Sequence, residues 1–268
     1  DLSGRDARIR LAIPMPRSWL ESVAESAGQW REDVNWDDRQ QKIRAERVLS
    51  LGALELKCQP WSKPSADAIS AVLLEQLRRE GLALLPWSQY SEQLRRRLQL
   101  AHQCIGTPWP CRETSFLQNH PELWLKEASL GSRRWGDLDE ETLIEALWGD
   151  VAWSFRRKLD ALLPTTIRIP SGRDAALTYE EDGVVLAVKL QEMFGCTDSP
   201  QLLNGNLPIT LELLSPAGRP LQRTRDLRGF WEGSYHDVRK EMRGRYPKHP
   251  WPESPAEAVA TRRTKRAQ

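Results

Sequence analysis

No lysine follows a glycine anywhere in these 268 residues. A nucleotide-hydrolysing P-loop needs Gly-Lys-Ser/Thr, because its backbone amides and lysine cradle the phosphates, so no such loop is expected within this chain. The four histidines, His102, His120, His236 and His249, stand alone. A zinc-protease helix needs two of them four apart with a glutamate between. No Gly-x-Ser-x-Gly nucleophile elbow is present either. The carboxylate clusters Asp37-Asp38, Glu140-Glu141 and Glu180-Glu181-Asp182 fall at turns or helix starts. Turn and helix-end roles account for them there. The four cysteines, Cys58, Cys104, Cys111 and Cys196, form no Cys-x-x-Cys pair, which argues against a disulfide framework and for buried thiols in a reducing, cytoplasmic setting. No apolar run approaches the roughly 18–20 residues of a membrane span, and the polar residues 1–10 are unlike a signal peptide. A chain that opens on Asp1 is expected to be a piece of a longer one. A catalytic site lying wholly within the chain is therefore not expected.

What is abundant is tryptophan and, late in the chain, positive charge. There are 12 Trp, several beside Pro, as at Pro60-Trp61, Pro86-Trp87, Trp109-Pro110 and Trp251-Pro252. Core or loop packing is the ordinary role for these, and base stacking the functional one for one or two. The net charge is +2, unevenly placed: from Arg219 onward 13 Lys/Arg face 6 Asp/Glu, a local +7 on an otherwise −5 body. Such a basic end suits a polyanion. The last residues, 261–268, read as a solvated, disordered tail.

Periodicity divides the chain into three blocks. Residues 7–13, 33–36, 42–48 and 51–56 alternate with period two and read as strands, with a short helix over 17–29 and a bend at Gly52. Residues 59–64 form a Pro/Trp/Ser linker. Ser65 then caps a helix that Gly81 ends, and Ser88 caps a second carrying Arg95, Arg96 and Arg97, read as a solvated face. Helices over 139–148 and 151–163 complete a helical region, with Trp153, Leu159 and Leu162 available for burial. Period two returns after Pro164, with a hairpin at Asp182-Gly183 and a β-meander of about four strands over 166–224. A last helix follows, N-capped by Ser234 and stopped by Gly244. Tyr235, Val238 and Met242 make its apolar stripe, and Arg239, Lys240 and Arg243 point elsewhere. The fold class is α+β: a small β-rich unit (1–59), a helical region (60–164), a β-meander with a capped basic helix (165–250) and a basic, disordered tail (251–268).

One string is distinctive. It runs Leu214-Ser-Pro-Ala-Gly-Arg-Pro-Leu-Gln, then Thr224-Arg-Asp-Leu-Arg-Gly-Phe-Trp-Glu-Gly-Ser-Tyr, then Val238-Arg-Lys-Glu-Met-Arg-Gly-Arg-Tyr-Pro-Lys-His-Pro-Trp-Pro. It resembles the C-terminal signature of the HrpB family of bacterial ATP-dependent DExH-box RNA helicases. Residues 48–54, 79–87, 169–172 and 185–195 resemble other stretches of the same family, so the likeness spans nearly the whole chain. Val151-Ala152-Trp153-Ser154-Phe155 departs from the family's Leu-Pro-Trp-Glu-Leu-type approach to its last helix.

The resemblance implies two upstream RecA-like motor lobes that carry the P-loop and DExH box and use ATP and Mg. It implies an OB-like unit over 1–59, followed by a family-specific extension. The chain itself would then hold no cofactor and no catalytic residue. Arg219, Arg223, Arg225, Arg239, Lys240, Arg243, Arg245 and Lys248 are the candidates for contact with single-stranded RNA phosphates. In the rival reading the same residues dock the motor lobes or another protein and never touch RNA.

Overall fold

In the computed structural model, residues 13–264 are described. In chain order the elements are helix α1 (Arg17–Ala27), strands β1 (Gln29–Asp37), β2 (Lys42–Leu51) and β3 (Leu54–Pro60), and helices α2 (Ala66–Glu80), α3 (Gln89–Ile105), α4 (Thr114–Asn119), α5 (Lys126–Ser129), α6 (Glu140–Trp148) and α7 (Trp153–Leu162). Then come β4 (Thr166–Arg168), β5 (Asp174–Glu180), β6 (Gly183–Lys189), β7 (Gln201–Leu202), β8 (Leu207–Leu214), β9 (Pro220–Thr224), α8 (Leu227–Glu232) and α9 (Tyr235–Arg245). The α+β class holds. Among the described residues no helix is long and apolar enough to cross a membrane.

The chain forms two compact units. The first comprises the described residues up to Leu85 together with Pro121–Asp139, and the second Pro86–His120 together with the described residues from Glu140 on. The helical block read over 60–164 is thus shared between them.

In the first unit β1, β2 and β3 make an antiparallel sheet with β2 central. The Asp37 carboxylate accepts from the backbone N–H of Arg39 (2.9 Å) and Gln40 (3.0 Å), which folds the first hairpin. Gly52, at φ 58°, turns the second. Ile43, Ala45, Val48 and Leu49 are buried. The Ser65 hydroxyl caps α2 by accepting from Ala68 N–H, and Gly81 leaves the helix at φ 92°. The resemblance implied an OB-like unit. The described residues show three antiparallel strands, and of the expected strand over 7–13 only Ile13 lies among them, outside any strand.

In the second unit the sheet order is β4-β5-β6-β8-β7, with β9 also on β8. The expected simple meander is corrected here, because β6 and β8 run parallel, Val184 opposite Ile209. A parallel neighbour needs a crossover, and residues 190–206 supply it. Val184, Val185, Leu186 and Val188 are all buried, as befits a strand covered on both faces.

The arginines of α3 are not a solvated face. Arg95 is 3% and Arg97 4% exposed. Arg95 pairs with Glu92 and Glu181 and donates to the Arg112 carbonyl at 2.9 Å. Arg96 donates to the Tyr179 carbonyl at 2.9 Å, and Arg97 to the Leu163 carbonyl (2.8 Å) and Asp160 (2.5 Å). Buried Arg112 donates to the Leu147 (2.7 Å) and Ala146 (3.4 Å) carbonyls at the end of α6. There its charge meets the negative helix end. Burial pulls the Arg112 guanidinium down to about 10.

The expected tail is a strap as far as it is described. Trp251 is buried, Gly195 N–H donates to the Pro255 carbonyl at 2.9 Å, and Thr261 N–H donates to the Gln191 carbonyl at 3.0 Å. The buried Gln191 amide donates to the Thr261 carbonyl (3.0 Å) and faces His249 Nδ1 (2.8 Å). Three further expectations are corrected. Trp153 is exposed rather than buried. The cysteines are free and partly or fully exposed. Ser234 makes no side-chain cap, since α8 leads directly into α9, which runs through Gly244 to Arg245.

Arg112→Ala should lower the unfolding free energy by about 3 kcal/mol in urea titration, because buried carbonyls lose a charged donor. A second expectation concerns acid. Burial, followed by the charge of Lys189, lowers the His249 pKa below its ordinary value of 6.5. Its contribution to stability is therefore full above that value and is lost as pH falls through it toward the folded-state pKa. The thermal midpoint of His249→Asn, which keeps an N–H for Gln191, should fall less over that window than the parent's.

Candidate nucleic-acid interface

Helix α9 carries the candidate interface. Tyr235 and Met242 are buried, and the Tyr235 hydroxyl donates to the Pro252 carbonyl at 2.8 Å. Burial raises that hydroxyl's pKa to about 12. With this stripe inward, helical spacing turns His236, Arg239, Lys240, Arg243 and Gly244 outward together. They line an open depression of about 580 Å³.

The eight predicted cations do not act alike. Arg239 is held by the Trp251 carbonyl (2.9 Å) and Glu253 (3.0 Å), and so fastens the strap. Arg223 pairs with Glu180, Arg245 with Glu241 at 3.3 Å, and Arg225 donates to the Thr210 hydroxyl at 2.9 Å. Lys240, Arg243, Lys248 and Arg219 are exposed with no carboxylate partner among the described residues. Lys240 and Arg243 share the α9 face. Arg219 sits in the β8–β9 turn, and Arg223 and Arg225 at and just after β9, where their bonds tie the sheet together.

Two features escaped the sequence reading. Gly244 lies inside the helix, and a Cβ there would meet nothing within 4 Å. It leaves bare backbone beside two free cations, and the His236–Lys240–Gly244 spacing of four was the signal for it. The second is a cleft of about 800 Å³ where the strap crosses the sheet, lined by Ser171, Arg173, Lys189, Glu192, Arg262 and Arg263. Arg173 grips the buried Glu192 with bonds of 3.0 and 3.1 Å. Burial opposes ionisation of Glu192, but the Arg173 bonds win and its pKa is lowered. Among the described residues no three His, Cys, Asp or Glu side chains gather as metal ligands.

The late string is mostly packing. Asp226 caps α8 by accepting from Gly229 N–H at 2.9 Å, and a Cβ at Gly229 would run into that carboxylate. Leu227, Phe230, Trp231 and Tyr235 are buried, and the Trp231 indole donates to the Cys196 carbonyl at 2.8 Å. Comparison with known proteins agrees with the family resemblance that the string carries. The family model "HrpB_C: ATP-dependent helicase C-terminal" matches residues 124–255. The chain is 41% identical over 263 residues to the "ATP-dependent RNA helicase HrpB" of Escherichia coli K12, a match covering 97% of this chain and 32% of that protein.

The chain belongs to the HrpB family, over the family's C-terminal part. Among solved structures it is similar to the E. coli DExH-box NTPase HrpB, with a TM-score of 0.68 and 41% identity over 98% of this chain and 33% of that one. It is also similar to a second structure, the E. coli DEAH/RHA helicase HrpB, with a TM-score of 0.58 and 40% identity over 84% of this chain and 29% of that one. The chain thus spans about a third of the length of the relatives it matches. The HrpB_C match takes in the whole second sheet and α9, and leaves the three-stranded sheet outside it.

Gly244→Ala should raise stability by about 0.5–1 kcal/mol, since alanine is the better helix former and has room. Differential scanning calorimetry reads this directly.

Proposed function

We propose that this chain is the accessory C-terminal module of an ATP-dependent RNA helicase and that it contacts single-stranded RNA through the α9 face. ATP turnover, with its Mg, belongs in this reading to RecA-like motor lobes upstream in the same polypeptide, and a cytoplasmic setting suits its free thiols. The observation that carries the proposal is the pair Lys240 and Arg243. They are exposed on one helix face, lack carboxylate partners among the described residues and flank the uncovered backbone of Gly244. Cations left unneutralised beside bare backbone bind a phosphate chain by charge and counterion release, without reading bases.

A docking role for the first unit has its own support. Trp19 is 53% and Trp30 46% exposed, with Met15 and Leu54 also exposed. Exposed apolar side chains in such numbers suit a protein surface. The two roles lie on different units and do not compete.

Binding of a labelled oligouridylate should weaken steeply with salt. Lys240→Glu with Arg243→Glu should reduce affinity at least tenfold at about 50 mM salt and flatten the log–log salt slope by about 1.4, two phosphates' worth. Unchanged affinity in the double variant, or no binding by the parent at low salt, overturns the RNA part of the proposal.

A further inference from the structure

Helix α7 carries a second, chemically different feature. Its first residue, Trp153, is 70% exposed, an unusual state for so large an apolar ring. Neither disorder nor loose packing accounts for it, because the ring is supported from beneath. The Arg156 guanidinium lies 5.4 Å from the Trp153 ring centroid and 5.2 Å from that of the buried Trp148. Arg156 is itself fixed, donating to Glu145 at 2.6 Å and to the Val151 carbonyl at 3.4 Å. An anchored cation therefore backs the indole and leaves the rest of the ring to solvent.

The surroundings select the ligand. Arg157, one helical turn on, is exposed and has no carboxylate partner among the described residues. Positions four apart on a helix are neighbours, about 5–6 Å between Cβ atoms. Lys158 adds a further exposed cation, its Nζ 4.3 Å from the Phe155 ring centroid. The only acid on the helix, Asp160, is taken up by Arg97. No other large apolar side chain on α7 is exposed, so the ring is a lone aromatic among cations and not part of an apolar protein-binding patch.

We infer that Trp153 is a stacking platform for an unpaired nucleobase, with Arg157 meeting the phosphate next to it. This deepens the RNA reading and rests on it. A π-face accepts any base, and Arg156 adds a cation to the stack. The interaction is base-dependent and little screened by salt, whereas that of the α9 face is base-independent and salt-sensitive.

The test measures binding of an oligouridylate and of an abasic oligomer with the same number of phosphates, each across a salt series. Trp153→Ala should weaken the oligouridylate roughly tenfold, leave its salt slope unchanged and leave the abasic oligomer unaffected. Trp153→Tyr keeps an aromatic face and should retain most of the affinity. Arg157→Glu should flatten the salt slope for both oligomers. An unfolding midpoint unchanged in Trp153→Ala would show that the fold is intact, and if it drops, Trp153→Tyr against Trp153→Leu decides instead. If Trp153→Ala binds oligouridylate like the parent while the Lys240/Arg243 reversal weakens it, the stacking site is wrong and the RNA reading stands. Equal weakening of both oligomers also overturns stacking. If the parent binds neither oligomer, both readings fail. A Trp153→Ala chain that binds both oligomers normally but no longer associates with its motor lobes assigns the indole to protein contact, against the proposal.

Discussion

The second unit depends on guanidinium groups that are buried, or half-buried at Arg96, and satisfied by backbone carbonyls. Arg95, Arg96, Arg97 and Arg112 reach the carbonyls of Arg112, Tyr179, Leu163 and Leu147. These lie before α4, in β5, after α7 and at the end of α6. Helix α3 and the segment that follows it thus tie the helical elements to the sheet. A buried cation without such partners costs several kcal/mol, so each bond constrains where its carbonyl sits. Arg112 has the fewest alternatives, because carbonyls alone hold it and Gly149, at φ 54°, leaves space for its Nη2.

This use of arginine explains where the sequence was legible and where it was not. Local rules carried well. The Ser65 and Ser88 caps, the Gly81 stop and the hairpin closing at Gly183 depend on residues within four positions of one another. The fate of Arg95 and Arg97 depends on Glu181 and Asp160, 86 and 63 residues away, and helical periodicity has no term for that. The parallel pairing of β6 with β8 was hidden for a related reason. Period-two alternation gives the faces of a strand but not the direction of its neighbour. Helix α8 has only six residues and an interior glycine, yet Asp226 three positions before Gly229 was a cap signal that could have revealed it.

The candidate site was half visible. Counting charge found the basic end but treated its eight cations as equivalent. The fold sorts them by what they already hold. Arg223, Arg225, Arg239 and Arg245 are committed to internal partners, and Lys240 and Arg243 are not. The signature string behaves likewise, its aromatic residues forming the α8–α9 core around Phe194, Trp231 and Tyr235. Most of the string thus serves to seat α9. The outward residues of the same helix carry whatever that seating is for.

Trp153 is the opposite case, a large apolar ring left in solvent. Burial was the expectation for this tryptophan, and six of the chain's 12 indoles are indeed buried. What decides its orientation is the helix start. With Ala152 as N-cap, Trp153 precedes the first full turn, and no earlier turn of α7 exists for its ring to fold back upon. The ring turns instead onto Arg156, which Glu145 and the Val151 carbonyl hold in place. A guanidinium already satisfied by a carboxylate and a carbonyl has little need of water on its remaining face. The indole it supports is left with its exposed area uncovered in this unit, and a flat π-surface backed by a fixed cation is the chemistry that a base, rather than a phosphate, would seek.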